Sequence, residues 1–200
     1  MRLKRLFLAL VLCAVPGVVP AQPAAQPIQL NLPFEKLTLA NGLQVILVED
    51  RRLPLVATNL RFQVGSGDDP PGRAGFAHLF EHLYAFSPPA SVPSPQSMGA
   101  TQDGATTDPD RTTYYTTAPS NRLETLLALE AERWVNFPQR LTESLLVKER
   151  SNVRNERRLN IENLPYGLAD EAVFQQLFAV GHPYHWKYLG THADVEAVRL

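Results

Sequence analysis

Apolar and polar positions alternate in the first third of the chain and switch to helical spacing further on. Leu37-Thr38-Leu39 and the run from Leu43 to Val48 flank Asn41-Gly42, a pairing that predicts a β-hairpin. Leu55 to Val64 reads as a further strand, with Leu60, Phe62 and Val64 alternating with polar residues. A loop rich in Gly, Pro and Asp from Gly65 leads into a helix expected from about Gly75 to Phe86, stopped by Ser87-Pro88-Pro89. Ser87 to Pro109 reads as a long polar connection, and Thr112 to Thr117 as a strand. A helix from Asn121 to Phe137 is expected to open at Ser120 and close before Pro138. Another, capped by Thr142, should persist until Asn163 and Pro165. Ala169 to Phe178 predicts a short amphipathic helix, His182 to Gly190 a loop, and Asp194 to Leu200 the start of a further element. Strands and helices in segregated groups predict an α+β domain, an antiparallel sheet with helices packed on one face.

The first residues stand outside that pattern. Arg2, Lys4 and Arg5 precede an apolar run from Leu6 to Val15, Pro16-Gly17 breaks it, and Val19-Pro20-Ala21 supplies small residues. This is the layout of a secretory signal peptide, residues 1–21, with cleavage near Ala21 and a periplasmic or secreted destination. Residues 22–33, rich in Pro, Gln and Ala, read as a flexible leader. Cys13, the one cysteine among 200 residues, falls in the signal, so the mature chain is expected to hold together without disulfides and without a membrane anchor. Removing the signal also leaves acidic residues in excess of basic ones, which argues against a nucleic-acid partner.

The chemistry concentrates in His78-Leu79-Phe80-Glu81-His82. On a helix, His78 and His82 stand at i and i+4 on one face, where two imidazoles can share a metal ion. Glu81 lies beside them, placed to act on a metal-bound water, and the order is that of the inverted zincin signature. A catalytic zinc commonly has three protein ligands and one open position. On spacing alone the third could be Glu149 or Glu156, two turns apart on the long helix, or Asp103, Asp108 or Asp110. His182, His185 and His192 are expected in surface or structural roles, and Tyr114, Tyr115, Trp134 and Phe137 in the core and sheet.

Four stretches in order, Gly75 to Leu83, Asp110 to Tyr115, Asn155 to Arg158 and Gly181 to Tyr184, resemble the family of pitrilysin, insulin-degrading enzyme and mitochondrial processing peptidase. The similarity runs from about Phe34 to the end, which marks residues 34–200 as an incomplete N-terminal peptidase domain. The resemblance implies a zinc endopeptidase acting on unfolded peptides or small proteins. His78, His82 and Glu156 would be the metal ligands, Glu81 the general base and Glu149 a glutamate supporting the site. It also implies substrate docking along an edge strand within Thr101 to Thr113. Gly104, Ala105 and Thr106 are the candidate contacts there, with Gly104-Ala105 standing where the family often has Asn-Ala. The segment after His82, Leu83 to Pro88, also departs from the family's usual pattern. Family members draw on a second homologous domain or partner subunit carrying an Arg-Tyr pair, so the chain by itself is expected to be inactive. The competing expectation is a zinc-binding or non-catalytic subunit.

Overall fold

The computed structural model describes residues 32–87, 89 and 91–200. The expected signal peptide and residues 22–31 of the expected leader lie outside the described residues. Two compact units divide at Asp50 and Arg51. In the first, β1 (Glu35–Thr38) and β2 (Gln44–Leu47) form the expected antiparallel hairpin, with Glu35 opposite Leu47 and Thr38 opposite Gln44. Asn41-Gly42 makes the turn: Asn41 Oδ1 accepts from the Leu43 N–H at 3.1 Å, and Gly42 has φ of +87°, a backbone region that glycine enters without strain.

The second unit carries the sheet and the helices. Its strands are β3 (Leu55–Phe62), β4 (Gln102–Thr107) and β5 (Thr112–Pro119), antiparallel in the order β3-β5-β4. Val56, Thr58, Leu60 and Phe62 of β3 pair with Ala118, Thr116, Tyr114 and Thr112 of β5, and the last three of these pair in turn with Asp103, Ala105 and Thr107 of β4. Those positions share one face, because side chains alternate along a strand. On β5 they are the buried ones, whereas Tyr115 is exposed. The helices therefore cover one face, as the α+β reading expects.

β4 corrects the reading of Ser87 to Pro109 as connection alone. Its sequence, Gln-Asp-Gly-Ala-Thr-Thr, has no apolar alternation, so pairing with β5 rather than local preference makes it a strand. The helices of the described residues follow the pattern more closely: α1 (Phe76–Ala85), α2 (Leu123–Val135), α3 (Phe137–Arg140), α4 (Glu143–Arg157), α5 (Gly167–Leu177) and α6 (His192–Ala197). Thr142 caps α4 as expected, its Oγ1 accepting from the Leu145 N–H at 3.2 Å. A π-helical turn, Arg158–Glu162, carries the helical path to Asn163.

The expected helix from Asn121 to Phe137 differs. Ser120 enters a 3-10 turn instead of capping, and its N–H donates to Pro54 O. Pro138 opens α3 rather than ending α2, since a first-turn proline has no helical hydrogen bond to lose. Trp134 is 55% exposed while its neighbour Arg133 is 5% exposed, a correction to the expected core tryptophan. One residue turns a helix by about 100°, and Arg133 is the one that turns inward.

The main core gathers Leu79, Leu83 and Tyr84 of α1, Tyr114 of β5, Leu146 and Val153 of α4, Phe137, Val195 and Val198. It locks α1 between the sheet and α4, and these three elements supply the site. Among the described residues no helix is long and apolar enough to cross a membrane.

Candidate metal centre

Asp69 fixes where α1 begins. Its buried carboxylate accepts from the Gly75 N–H at 2.7 Å and the Ala77 N–H at 2.8 Å, satisfying donors that a helix start leaves unpaired. Gly75 has φ of +91°, and a Cβ there would lie 3.0 Å from Leu189 O. Both demands require glycine. From this start, His78 and His82 rise on one face of α1, ring centroids 4.7 Å apart.

α4 brings the third donor. Glu156 Oε2 lies 3.7 Å from His78 Nε2 and 3.4 Å from His82 Nε2. Tetrahedral zinc with bonds of about 2.0–2.2 Å holds its donors roughly 3.3–3.6 Å apart, so the spacing and the two-nitrogen, one-oxygen donor set fit that ion. Among the described residues, His78, His82 and Glu156 form the group whose donor atoms converge, all within 4.8 Å of one another. Of the alternatives left by spacing, Glu149 approaches the other nitrogen: its Oε2 is 3.3 Å from His82 Nδ1. It also accepts from Asn152 Nδ2 at 2.8 Å. A carboxylate there selects the tautomer with hydrogen on Nδ1 and leaves Nε2 free as a donor. Asp103 is held by Thr116 Oγ1 and Gln96 Nε2. Asp108 and Asp110 lie on the β4–β5 turn, engaged with Arg111 and Tyr184.

Glu81, 7% exposed, points into the same cleft of about 640 Å³ that His78, His82 and Glu156 line. Its Oε2 accepts from Thr107 Oγ1 of β4 at 2.5 Å. Gly104, Ala105 and Thr106 line the cleft as well. Sequence reasoning had no access to Thr107, which sits in a polar stretch without periodicity. It also passed over Tyr188, whose ring meets His78 edge-on at 5.0 Å, and Asp69, whose partners lie six and eight residues away in a loop without a capping pattern.

Burial and charge set the protonation of the four groups. Burial, with His82 adding to it against Glu156, pushes His78 down to about 4. Burial also lowers His82, but hydrogen bonds to Glu156 and Glu149 outweigh it and raise the net value. Burial raises Glu81, opposed by the Thr107 hydrogen bond, and the His82 hydrogen bond lowers Glu156. The three remaining histidines keep the expected surface or structural roles. His185 Nδ1 meets Phe178 O at 2.7 Å, His192 Nε2 meets Glu162 at 2.8 Å, and His182 Nδ1 accepts from the Tyr184 N–H at 3.0 Å.

Known proteins share this arrangement of sequence and fold. The family model described as Insulinase (Peptidase family M16) matches residues 44–181. Zinc protease PqqE of Helicobacter pylori is 30% identical over 174 residues, covering 81% of this chain and 37% of that protein. The crystal structure of a protease from Helicobacter pylori superposes with a TM-score of 0.75 at 30% identity, over 85% of this chain and 41% of that one. The crystal structure of a peptidase M16 inactive domain from Pseudomonas fluorescens gives 0.69 at 20% identity over 84% of this chain and 41% of its own, a likeness of fold alone. The chain thus spans about two fifths of the length of these relatives. With 138 of its residues inside the family model, the chain belongs to the insulinase family of peptidases, M16.

Proposed function

We propose that this chain carries the metal-binding and water-activating part of a zinc endopeptidase that cuts unfolded peptides or small proteins. The observation supporting this reading most directly is the convergence of His78 Nε2, His82 Nε2 and Glu156 Oε2 beside the Glu81 carboxylate in one cleft. His78, His82 and Glu156 would hold the ion. Bound zinc would supply Lewis acidity toward the scissile carbonyl and the attacking water. Glu81 is the general base: burial raises its proton affinity above that of an ordinary glutamate, suiting a group that takes a proton from water and returns it to the leaving amine. Glu149 orients His82 through Nδ1.

Substrate adds as an extended strand along β4. The Asp108 N–H donates to Arg111 O at 2.9 Å, which sets the phase of the β4–β5 ladder. With bonds alternating along an antiparallel pair, Gln102, Gly104 and Thr106 turn their backbone groups toward β5. Asp103, Ala105 and Thr107 turn theirs to the open side. Of the expected contacts Gly104, Ala105 and Thr106, Ala105 is therefore the one offering backbone donors and acceptors to a peptide. The other two border the cleft.

A second homologous domain or partner chain supplies the Arg-Tyr pair that completes the site, and residues 34–200 are part of an N-terminal peptidase domain. The basic start and apolar run before Ala21 support export to the periplasm or beyond. The test is metal content and hydrolysis of an unstructured peptide by the purified full-length gene product, before and after chelation. Glu81→Gln should keep the metal and lose cleavage. Full activity in that variant, or cleavage indifferent to chelator, rejects the reading. Bound metal without cleavage in the parent would favour the non-catalytic subunit.

A further inference from the structure

The buried contact between β4 and the base goes beyond the ligand set, and it rests on the peptidase reading above. Thr107 is 8% exposed, and its Oγ1 lies 2.5 Å from Glu81 Oε2. A threonine hydroxyl carries one proton and an ionised carboxylate none, so Thr107 is the donor. The neighbouring hydroxyl is the weaker acceptor for that proton, 3.4 Å away against 2.5 Å for the carboxylate. Thr112 Oγ1, 3.4 Å from Thr107 Oγ1, gives its own hydrogen to Val64 O at 2.9 Å.

We propose that Thr107 is a positioning residue: by tying up Glu81 Oε2 it aims the carboxylate and leaves Oε1 as the oxygen that receives the proton from water. Glu81 Oε1 makes no hydrogen bond among the described residues, and the residue lines the cleft together with the two histidines. A free glutamate would spread over several rotamers at each of its torsions. One charge-assisted hydrogen bond to one oxygen removes the rotation that would exchange the two. The register places Thr107 opposite Thr112, at the end of β4 next to the turn, where pairing with the central strand holds the backbone. The same residue presents its own N–H and C=O to the open side of β4, where an extended peptide would pair. Substrate docking and base geometry thus meet at one residue, the first through backbone and the second through the hydroxyl.

This division of labour makes the two separable by mutation. Valine keeps the shape and the backbone groups of threonine and lacks the hydroxyl; serine keeps the hydroxyl and lacks the methyl. In the full-length gene product assayed on an unstructured peptide, Thr107→Val should lower kcat by about 10- to 100-fold, the loss expected of one hydrogen bond to a charged group. KM should stay within about twofold, because uniform binding is untouched, and bound metal should be unchanged. Thr107→Ser should return kcat to within about threefold of the parent. In a Glu81→Gln background, Thr107→Val should lower the residual rate no further, because the group it positions is already gone.

The proposal is overturned by parental kcat in Thr107→Val or by a serine variant as slow as the valine one. A further loss in the Glu81→Gln background, or loss of metal or of the folded state from Thr107→Val, would equally overturn it by showing a merely structural role. A parent protein without chelator-sensitive cleavage overturns the peptidase reading itself, and this inference with it. That outcome is recognisable because it precedes any comparison of variants.

Discussion

Asp69→Asn tests the device that sets the start of the ligand helix. In the parent, one carboxylate that is 5% exposed accepts from two backbone donors, Gly75 at 2.7 Å and Ala77 at 2.8 Å. An asparagine offers one oxygen and one amide nitrogen in the same space, so one backbone N–H must face another N–H. The surviving bond drops from charge-assisted to neutral, from about 1.5–3 to about 1 kcal/mol, and the other is lost with its desolvation uncompensated. Loss of the negative charge at the helix start adds about 0.3–1 kcal/mol. The expected cost is about 3 kcal/mol, or a Tm lower by roughly 6–12 °C for a domain of this size. The pH dependence gives a second handle. Burial, opposed by hydrogen bonds from Ala77, Gly75 and Phe76, raises Asp69 to about 6. The folded state thus binds this proton more tightly than the unfolded chain does. The stability the group contributes rises as pH falls through about 6 toward the ordinary aspartate range. Asparagine has no such response, so the gap between parent and variant should widen from pH 7.5 to pH 5. Thermal unfolding at both pH values measures the gap, and amide exchange at Ala77 reports whether the damage is local. A variant within about 1 kcal/mol of the parent, too little for a lost charged hydrogen bond, would refute the capping argument. A gap that narrows on acidification would refute the dominance of burial.

Glu149→Gln removes the charge behind His82 without removing volume and should weaken metal affinity by about 10- to 100-fold, read by competition with a chromogenic chelator; unchanged affinity would deny Glu149 any role at the site. Metal affinity should fall as pH drops, beginning above the ordinary imidazole range. His82 is raised by its carboxylate partners and a protonated imidazole cannot ligate, whereas His78, depressed to about 4, offers little competition. Affinity constant between pH 8 and pH 5.5 would contradict that assignment. Gly104→Ala places a Cβ 2.6 Å from Tyr115 Oη and 2.8 Å from its Cζ. It should cost about 1–2 kcal/mol in thermal unfolding, and less once Tyr115→Ser opens the space; strict additivity of the two substitutions would show that the ring is not the obstacle.

Much of the local structure could be read from the sequence because local signals carry it. Asn41-Gly42 between alternating runs gave a hairpin, Thr142 a cap, and the spacing of His78 and His82 a shared helix face. Where such signals were weak, the reading missed. β4 has no apolar alternation and owes its conformation to β5, so the pattern of residues showed only a connection, while the family resemblance placed an edge strand there. Pro138 looked like a stop and proved a start, because a proline is compatible with both and the neighbouring packing decides.

The sequence by itself determined that two imidazoles and a carboxylate occupy one turn of helix, since four residues on a helix bring side chains together whatever surrounds them. The family resemblance gave Glu149 and Glu156 different roles, but only the tertiary structure shows what physically separates them. Both lie on one face of α4, two turns apart, and spacing treats them alike. The packing of α4 on α1 through Leu79, Leu83, Leu146 and Val153 sets which part of α4 meets which nitrogen. It presses Glu149, fully buried, against His82 Nδ1, and leaves Glu156, partly open to the cleft, facing both Nε2 atoms. Tertiary pairing likewise brought Thr107, twenty-six residues from Glu81, to its carboxylate. Contacts across such separations depend on how elements stack and in what register strands pair, and no short window of sequence contains either.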